Sequence, residues 1–288
     1  ETKPSGHSLR QEMTLCFFVS PGAKTSESKI GILISVSVLL VCGALFFLFS
    51  NRAQPVRPVG NTVLKEFLER FDQVEAHFKD QLPVLWKRSR ITLRNHINLT
   101  THSKPAILMF AAAQDGQRTM QCLAYSLADA YSSTLNATTL EIDGSGKRGQ
   151  SSDAVKLDVD EQLASGFDRD TKAAVIHHFQ DLPPLSTLIF YKYCDHENAA
   201  YKSVSLFITV ALDEERLERD ESFASVEVKV RDFLKKKFST SQNPPGNAGG
   251  MDIDKLSGLW SRIAHVVLPV KPIQEIEMKG CETEKKGK

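Results

Sequence analysis

Hydrophobic positions along the chain change their period several times, and each change marks an element. Residues 30–49, IGILISVSVLLVCGALFFLF, form an uninterrupted run without charge. At about 1.5 Å of rise per residue such a helix covers roughly 30 Å, the thickness of a bilayer's hydrocarbon core. Lys29 precedes the run and Asn51-Arg52 follow it, groups suited to a headgroup layer. A secretory signal peptide is the competing reading, but its apolar part is usually about 7–15 residues and ends at small residues. This run ends instead in Phe-Phe-Leu-Phe-Ser-Asn-Arg. The pattern predicts one transmembrane helix over residues 30–50, behind a tail over 1–29 that has no sustained periodicity.

Past a stiff Gln54-Pro55-Val56-Arg57-Pro58 linker, Leu64, Phe67, Leu68, Phe71, Val74 and Phe78 recur at three- and four-residue steps. This spacing predicts an amphipathic helix over about 61–81 whose stripe faces a core. The region 51–104 is therefore linker plus helix. From residue 105 short apolar runs alternate with helical spacing. Strands are expected at 105–113, 138–143, 173–178, 204–212 and 265–270, the first a short apolar run suited to a strand covered on both faces. Helices are expected at 117–132, at 151–167 with Ser152 or Asp153 as cap, at 223–238 with Val226, Val228, Val230, Phe233 and Leu234 inward, and at 252–264. Residues 187–193 read equally as strand or helix, 240–250 as a Pro/Gly/Asn loop, and 273–288 as a charged tail. Alternating strands and helices predict an α/β domain over 105–272 with a mostly parallel sheet covered on both faces.

Composition narrows the picture. The chain has 288 residues and a formal net charge of +1, which offers no electrostatic case for nucleic acid. It opens on Glu1 rather than methionine, so further sequence is expected ahead of it. Lys24 and Lys29 on one side of the apolar run balance Arg52, Arg57 and Lys65 on the other, so the positive-inside rule does not orient it. Two glycosylation sequons do: Asn98-Leu99-Thr100 and Asn136-Ala137-Thr138 both follow the run. They predict a luminal C-terminal domain and a cytoplasmic or nucleoplasmic N-terminus. Cys122, Cys194 and Cys281 would then face an oxidising lumen, which permits one disulfide and leaves one thiol. Cys122 lies in a helical pattern and reads as core. Cys194 and Cys281 are the expected pair, although sequence alone does not fix connectivity.

The site where an α/β domain would bind a nucleotide is degenerate. A phosphate-binding loop needs glycines whose backbone N–H groups wrap the phosphates, followed by Lys and Ser/Thr. After the first strand stands Ala111-Ala-Ala-Gln-Asp-Gly116-Gln117-Arg118-Thr119, with alanine for the first glycine and glutamine for the lysine. The third strand ends in His177-His178, with Asp181 the nearby acid. Adjacent strand residues face opposite ways and cannot share a metal. Cys194-Asp195-His196-Glu197 lacks zinc spacing and reads as a turn around a disulfide-bonded Cys194. A cryptic enzyme using Cys194 and His196 stays open, because a nucleophilic pair needs an orienting third group. No cofactor is expected. In the helix at 252–264, Ile253, Leu256, Leu259, Trp260 and Ile263 lie within roughly 120° of one another at 100° per residue. Arg262 falls outside that stripe and is expected to project from the core near the helix end. A solvated arginine favoured by the helix dipole is the simpler account; a guanidinium held out for a neighbouring phosphate is the sharper one.

The runs Leu188-Ile-Phe-Tyr-Lys-Tyr-Cys-Asp-His-Glu-Asn-Ala199, Lys229-Val-Arg-Asp-Phe-Leu234 and Asp254-Lys-Leu-Ser-Gly-Leu-Trp-Ser-Arg-Ile263 resemble the torsin-interacting protein family, which comprises lamina-associated polypeptide 1 and its endoplasmic-reticulum paralogue. The resemblance extends over the apolar run and essentially all that follows. It implies a single-span protein of the nuclear envelope or endoplasmic reticulum, with membrane lipid around its helix and an AAA+-like luminal domain that binds no nucleotide. It also implies a torsin AAA+ ATPase as partner, activated by an arginine finger that maps onto Arg262 in the Leu-Trp-Ser-Arg motif, and a luminal disulfide mapped onto Cys194 and Cys281. A structural tether is the alternative; it would require sequence that binds lamins on the N-terminal side.

Overall fold

The computed structural model describes residues 59–218, 221–239 and 250–281. The expected span at 30–50, the N-terminal tail and most of the 240–250 loop lie outside the described residues. Among those described, no helix is long and apolar enough to cross a membrane.

Two helices open the described chain, α1 (Val59–His77) and α2 (Pro83–Ile97). The stripe of α1 is core as its spacing predicts, with Phe67 and Phe71 buried and Phe78 buried just beyond the helix end. The sequence reading had no second helix here. Helix α2 starts on Pro83, whose missing N–H costs nothing in a first turn. It buries Leu85, Trp86, Ser89, Leu93 and His96, a stripe broken in hydrophobicity by the serine and histidine.

Five strands follow: β1 (Ala106–Ala112), β2 (Thr138–Asp143), β3 (Thr171–His177), β4 (Ser205–Ala211) and β5 (Val267–Pro269). All four pairings are parallel and the spatial order is β2-β3-β4-β1-β5. The central strands β1 and β4 are buried at every residue, with Met109 opposite Ile208. The edge strand β2 buries only Ile142 fully. The rest of the chain supplies α3 (Gln117–Thr134), α4 (Ser152–Phe167), α5 (Phe190–Cys194), α6 (Phe223–Phe238), α7 (Ile253–Ile263) and α8 (Gln274–Lys279).

Strand alternation divides the core in two. Ile107, Met109 and Ala111 face one side with Val155, Leu163, Val226, Leu234, Leu259 and Ile263 from α4, α6 and α7. Leu108, Phe110 and Ala112 face the other with Phe67, Phe71, Leu93, Leu123 and Leu127 from α1, α2 and α3. The α/β expectation stands, and the sheet is parallel throughout.

Several local expectations change. The ambiguous 187–193 is helical, a 3-10 stretch Pro184–Ile189 leading into α5. Val228 is 44% exposed although it was counted inward; a residue two positions from Val226 and from Val230 sits about 200° around a helix from each. Ser151, not Ser152 or Asp153, is the N-cap of α4, and it makes no side-chain cap bond. The charged segment after residue 272 folds into α8, which packs through buried Ile276.

One buried histidine ties α2 to α3 and to the segments leading into β1 and β4. His96 Nδ1 lies 2.7 Å from the Tyr131 hydroxyl, and Nε2 lies 3.1 and 3.0 Å from the carbonyls of Lys104 and Lys202. This set assigns the neutral tautomer in which Nε2–H donates to the carbonyls and Nδ1 accepts from Tyr131. Burial, with His102 beside it, pulls its pKa down to about 4. The folded state therefore excludes a proton that the unfolded chain takes up below about 6.5. The stabilisation is complete above that value and is lost as pH falls toward 4. Urea titrations at pH 7 and pH 5 are expected to show a loss of about 2 kcal/mol attributable to His96, absent in His96→Gln.

Candidate functional site

Helix α7 holds its last turn rigidly. Asp252 caps its N-terminus, its side chain accepting from Lys255 N–H at 2.7 Å, while Leu259 and Ile263 anchor it in the core. Ile253, counted in that stripe, is 68% exposed, because the first residue of the helix overhangs the core.

Arg262 does not project freely, as the sequence led one to expect. Its side chain is only 26% exposed. The Nε–H donates to Asp195 Oδ2 at 2.9 Å, Nη1–H donates to the Gly258 carbonyl at 2.9 Å, and the guanidinium lies over the Tyr191 ring at 4.2 Å. Asp195 is itself fixed. Its Oδ1 accepts from the backbone N–H groups of Asn198 at 2.8 Å and Glu197 at 3.0 Å. Those donors, and then Arg262, hold its carboxyl down at about 2, so it is ionised at any physiological pH. Tyr191 donates its hydroxyl to the Lys255 carbonyl at 2.8 Å. It comes this close to α7 because residue 258 is glycine: a Cβ there would collide with the Tyr191 hydroxyl and sit 3.1 Å from Cζ. Among the described residues, the Nη2 end of Arg262 has no hydrogen-bond partner. The arrangement is a cation fixed on three sides with one donor edge left over.

The crevice that such a sheet offers to a ligand lies outside the carboxyl ends of adjacent strands whose connections diverge, here β1 and β4. It is closed by the chain itself. Gln114 N–H donates to the Glu214 carbonyl at 2.9 Å and Asp115 N–H to that of Glu215 at 3.3 Å, joining the two loops. Gln114 Nε2 adds a bond to the Asp213 carbonyl at 2.8 Å. Beyond them the N-terminus of α3 is occupied by a carboxylate. Glu277 of α8 accepts from Thr119 N–H at 2.7 Å, from its hydroxyl at 2.6 Å and from Arg118 N–H at 3.3 Å. The Arg118 guanidinium is turned to the Glu277 carbonyl at 2.7 Å. The first helical turn thus has its anion from within the chain.

The other sequence candidates separate. His177 is buried and meets Glu141 at 3.1 Å; His178, at φ 48°, meets Asp143 at 2.7 Å and accepts from Gln121 at 2.9 Å. Their partners stand two positions apart on β2, on one face of that strand: His178 lies past the end of β3 in the left-handed region, so it does not follow the strand alternation expected of the pair. Asp181 faces Arg148 at 3.5 Å, away from either histidine's partner set. Among the described residues no group of three or more metal-ligating side chains gathers. The expected Cys194–Cys281 disulfide is wrong: Cys281 is bonded to Cys122, with Cα atoms 5.6 Å apart, and Cys194 is a free, buried thiol. Helix α8 brings Cys281 back across α3, a return that linear spacing could not foretell, whereas Cys194 faces the opposite core. Burial pushes the Cys194 thiol well up, the wrong direction for a nucleophile. His196 lies instead 3.2 Å from His265, and burial followed by that neighbour lowers His265 to about 4. Asn98 and Asn136 are both exposed, Asn98 as the C-cap of α2 and Asn136 in a turn at φ 53°.

The family profile of the AAA+ activator domain of lamina-associated polypeptide 1 matches residues 48–282. The chain belongs to the lamina-associated polypeptide 1 family. Torsin-1A-interacting protein 1 of Homo sapiens is 48% identical over 224 residues, which are 77% of this chain and 38% of that protein. The mouse protein of the same name is 44% identical over 262 residues, 91% of this chain and 43% of its own length. The chain thus spans about two fifths of the length of these curated relatives. A chain from the Drosophila origin recognition complex matches at a TM-score of 0.32 and 12% identity, over 77% of this chain and 35% of that one, too slight a likeness to carry an argument.

Within this lamina-associated polypeptide 1 family domain, Asp195, Tyr191, Gly258 and Glu277 are the participants that sequence reasoning missed. Asp195 stood in the cluster weighed for metal or nucleophile chemistry, and only the fold pairs it with Arg262. Glu277 carries no local signal at all. Peptide mapping after alkylation is expected to recover Cys122 linked to Cys281 and to label Cys194 only once the domain unfolds. Cys281→Ser should cost about 2–4 kcal/mol in denaturant titration, and Cys194→Ser much less.

Proposed function

We propose that this domain is a non-catalytic activator of a torsin-type AAA+ ATPase, to which it supplies Arg262 in trans. The observation that carries the reading is the geometry of that guanidinium: held on three sides and with its Nη2 edge unused. A finger must bring full positive charge to a transferring phosphoryl group without reorganising at the moment of reaction. The closed β1–β4 crevice and the Glu277 carboxylate on α3 support the complementary half of the reading, that the ATP belongs to the partner. A phosphate arriving at α3 would have to displace a covalently tethered carboxylate. The names of the human and mouse relatives point to a torsin as that partner.

The domain would be luminal, on a single-pass anchor at residues 30–50, in the inner nuclear membrane or the endoplasmic reticulum. Two exposed sequons and a disulfide between distant residues support an oxidising, glycosylating compartment.

Arg262→Ala is expected to keep its affinity for the ATPase while stimulated hydrolysis falls to near the basal rate. Fingers in other nucleotide hydrolases contribute about 10³–10⁵ in rate. Measuring both quantities side by side decides: full stimulation by the mutant ends the proposal. Treatment of the membrane-expressed chain with an N-glycosidase should shift its mobility, and the shift should vanish in Asn98→Gln/Asn136→Gln.

A further inference from the structure

Granting that Arg262 acts in trans, the geometry points to Asp195 as a positioning residue for it, with Tyr191 as the floor on which the guanidinium rests. An arginine side chain has rotamer freedom in several torsions to lose. A free side chain would lose it each time a composite site closed. Here the freedom is already gone in the isolated chain, and the contacts that remove it are specific in where they attach. Asp195 takes the Nε–H, the donor nearest the aliphatic stem, at 2.9 Å. The Gly258 carbonyl takes one Nη1–H at 2.9 Å. Neither occupies Nη2, so both can persist while the outer edge donates to a phosphoryl oxygen.

Asp195 can do this because it is not mobile. The residues before it, Tyr193 and Cys194, are buried, and its own Oδ1 is committed to two backbone donors at 2.8 and 3.0 Å. One carboxylate oxygen fixes the turn and the other fixes the arginine. Tyr191 is set from the other side by its bond to the Lys255 carbonyl and by the space left at Gly258. The ring blocks one face of the guanidinium and favours its charge. Asp195 touches neither nucleotide nor the reacting atoms in this account; it acts through Arg262 alone.

The test compares the full chain with Asp195→Ala, Arg262→Ala and the double variant, each mixed with a torsin ATPase. Maximal stimulated rate, the concentration giving half-maximal stimulation, and the midpoint of thermal unfolding are read for each. Loss of fixed orientation at a reacting site is worth on the order of 10-fold to 100-fold in rate. Asp195→Ala is therefore expected to lower the maximal rate by that factor, with half-maximal concentration within about twofold of wild type; Asp195→Asn, which keeps an oxygen for the two backbone donors, is expected to lower the rate in the same direction with the unfolding midpoint unchanged. In the Arg262→Ala background it should have no further effect. Tyr191→Leu, which removes the floor without touching the ion pair, is expected to lower the maximal rate in the same manner. A wild-type or raised maximal rate in Asp195→Ala beside an inactive Arg262→Ala overturns the positioning role and leaves the finger standing. A further loss from Asp195→Ala in the Arg262→Ala background, or a loss in Asp195→Asn that comes with lost affinity or a lowered unfolding midpoint, also overturns it. Full stimulation by Arg262→Ala overturns the reading beneath both.

Discussion

A helix that starts at the carboxyl end of a central parallel strand presents unpaired N–H groups and the positive end of its dipole, and these require an anion or water. In this fold the requirement is met at α3 by Glu277, and much of the C-terminal segment is arranged around that contact. Thr119 both donates to Glu277 and accepts from Ile273 N–H at 3.0 Å. Gln81 exchanges a pair of bonds with the backbone of Lys271, at 2.7 and 2.8 Å. The disulfide joins Cys281 to α3 itself. Gly116, at the turn into α3, already lies against Pro272 and the Val270 carbonyl, with an added Cβ placed 3.4 and 3.5 Å from them. The segment after β5 thus fills the space above α3 with its own backbone.

The same economy governs the arginine. A basic residue in the last turn of a helix is ordinary, and dipole attraction there is worth only tenths of a kcal/mol to about one. What distinguishes Arg262 is that helix α7, the short helix α5 and the turn after it each contribute one contact, from residues 64 or more positions apart for Tyr191 with Lys255 and 67 apart for Asp195 with Arg262. Both elements rest on the same core, α7 through Leu259 and Ile263 and α5 through Phe190 and Tyr193. The orientation of the side chain therefore depends on the packing of that core and not on α7 alone.

How much of this was legible follows from the kind of interaction involved. Strand β1 was readable because burial on both faces leaves an unbroken apolar run, β4 because only Ser205 and Thr209 interrupt such a run, and α1, α3 and α6 because one covered face leaves a helical stripe. Helix α2 was missed because two of its five buried residues are polar: His96, admitted by hydrogen bonds to Tyr131 and to the carbonyls of Lys104 and Lys202, and Ser89, whose buried hydroxyl has no partner among the described residues. Helix α8 was missed because it is held by a disulfide, by Glu277 and by a single buried Ile276. The position of Arg262 off the apolar stripe was readable from periodicity, whereas its restraint was not. Side-chain partners drawn from distant segments leave no periodic trace, which is also why Cys281 was paired with the wrong cysteine.

The restraint also argues for the residue type at position 262. A lysine ammonium is a point charge with three rotating donors; set against Asp195 it would spend its charge on that carboxylate. The guanidinium spreads its charge over a planar fork of five N–H groups, so Asp195 can engage Nε while Nη2 stays available on the far side of the plane. Its flat face stacks on Tyr191, which an ammonium cannot use as a floor in the same way. Because backbone donors and Arg262 keep Asp195 ionised down to about pH 2, protonation cannot release the pair anywhere near neutrality. The hold on Arg262 is therefore a constant of the folded state and not a switch. Protonation of Asp195 is thus not a means of regulating the proposed activity near neutral pH.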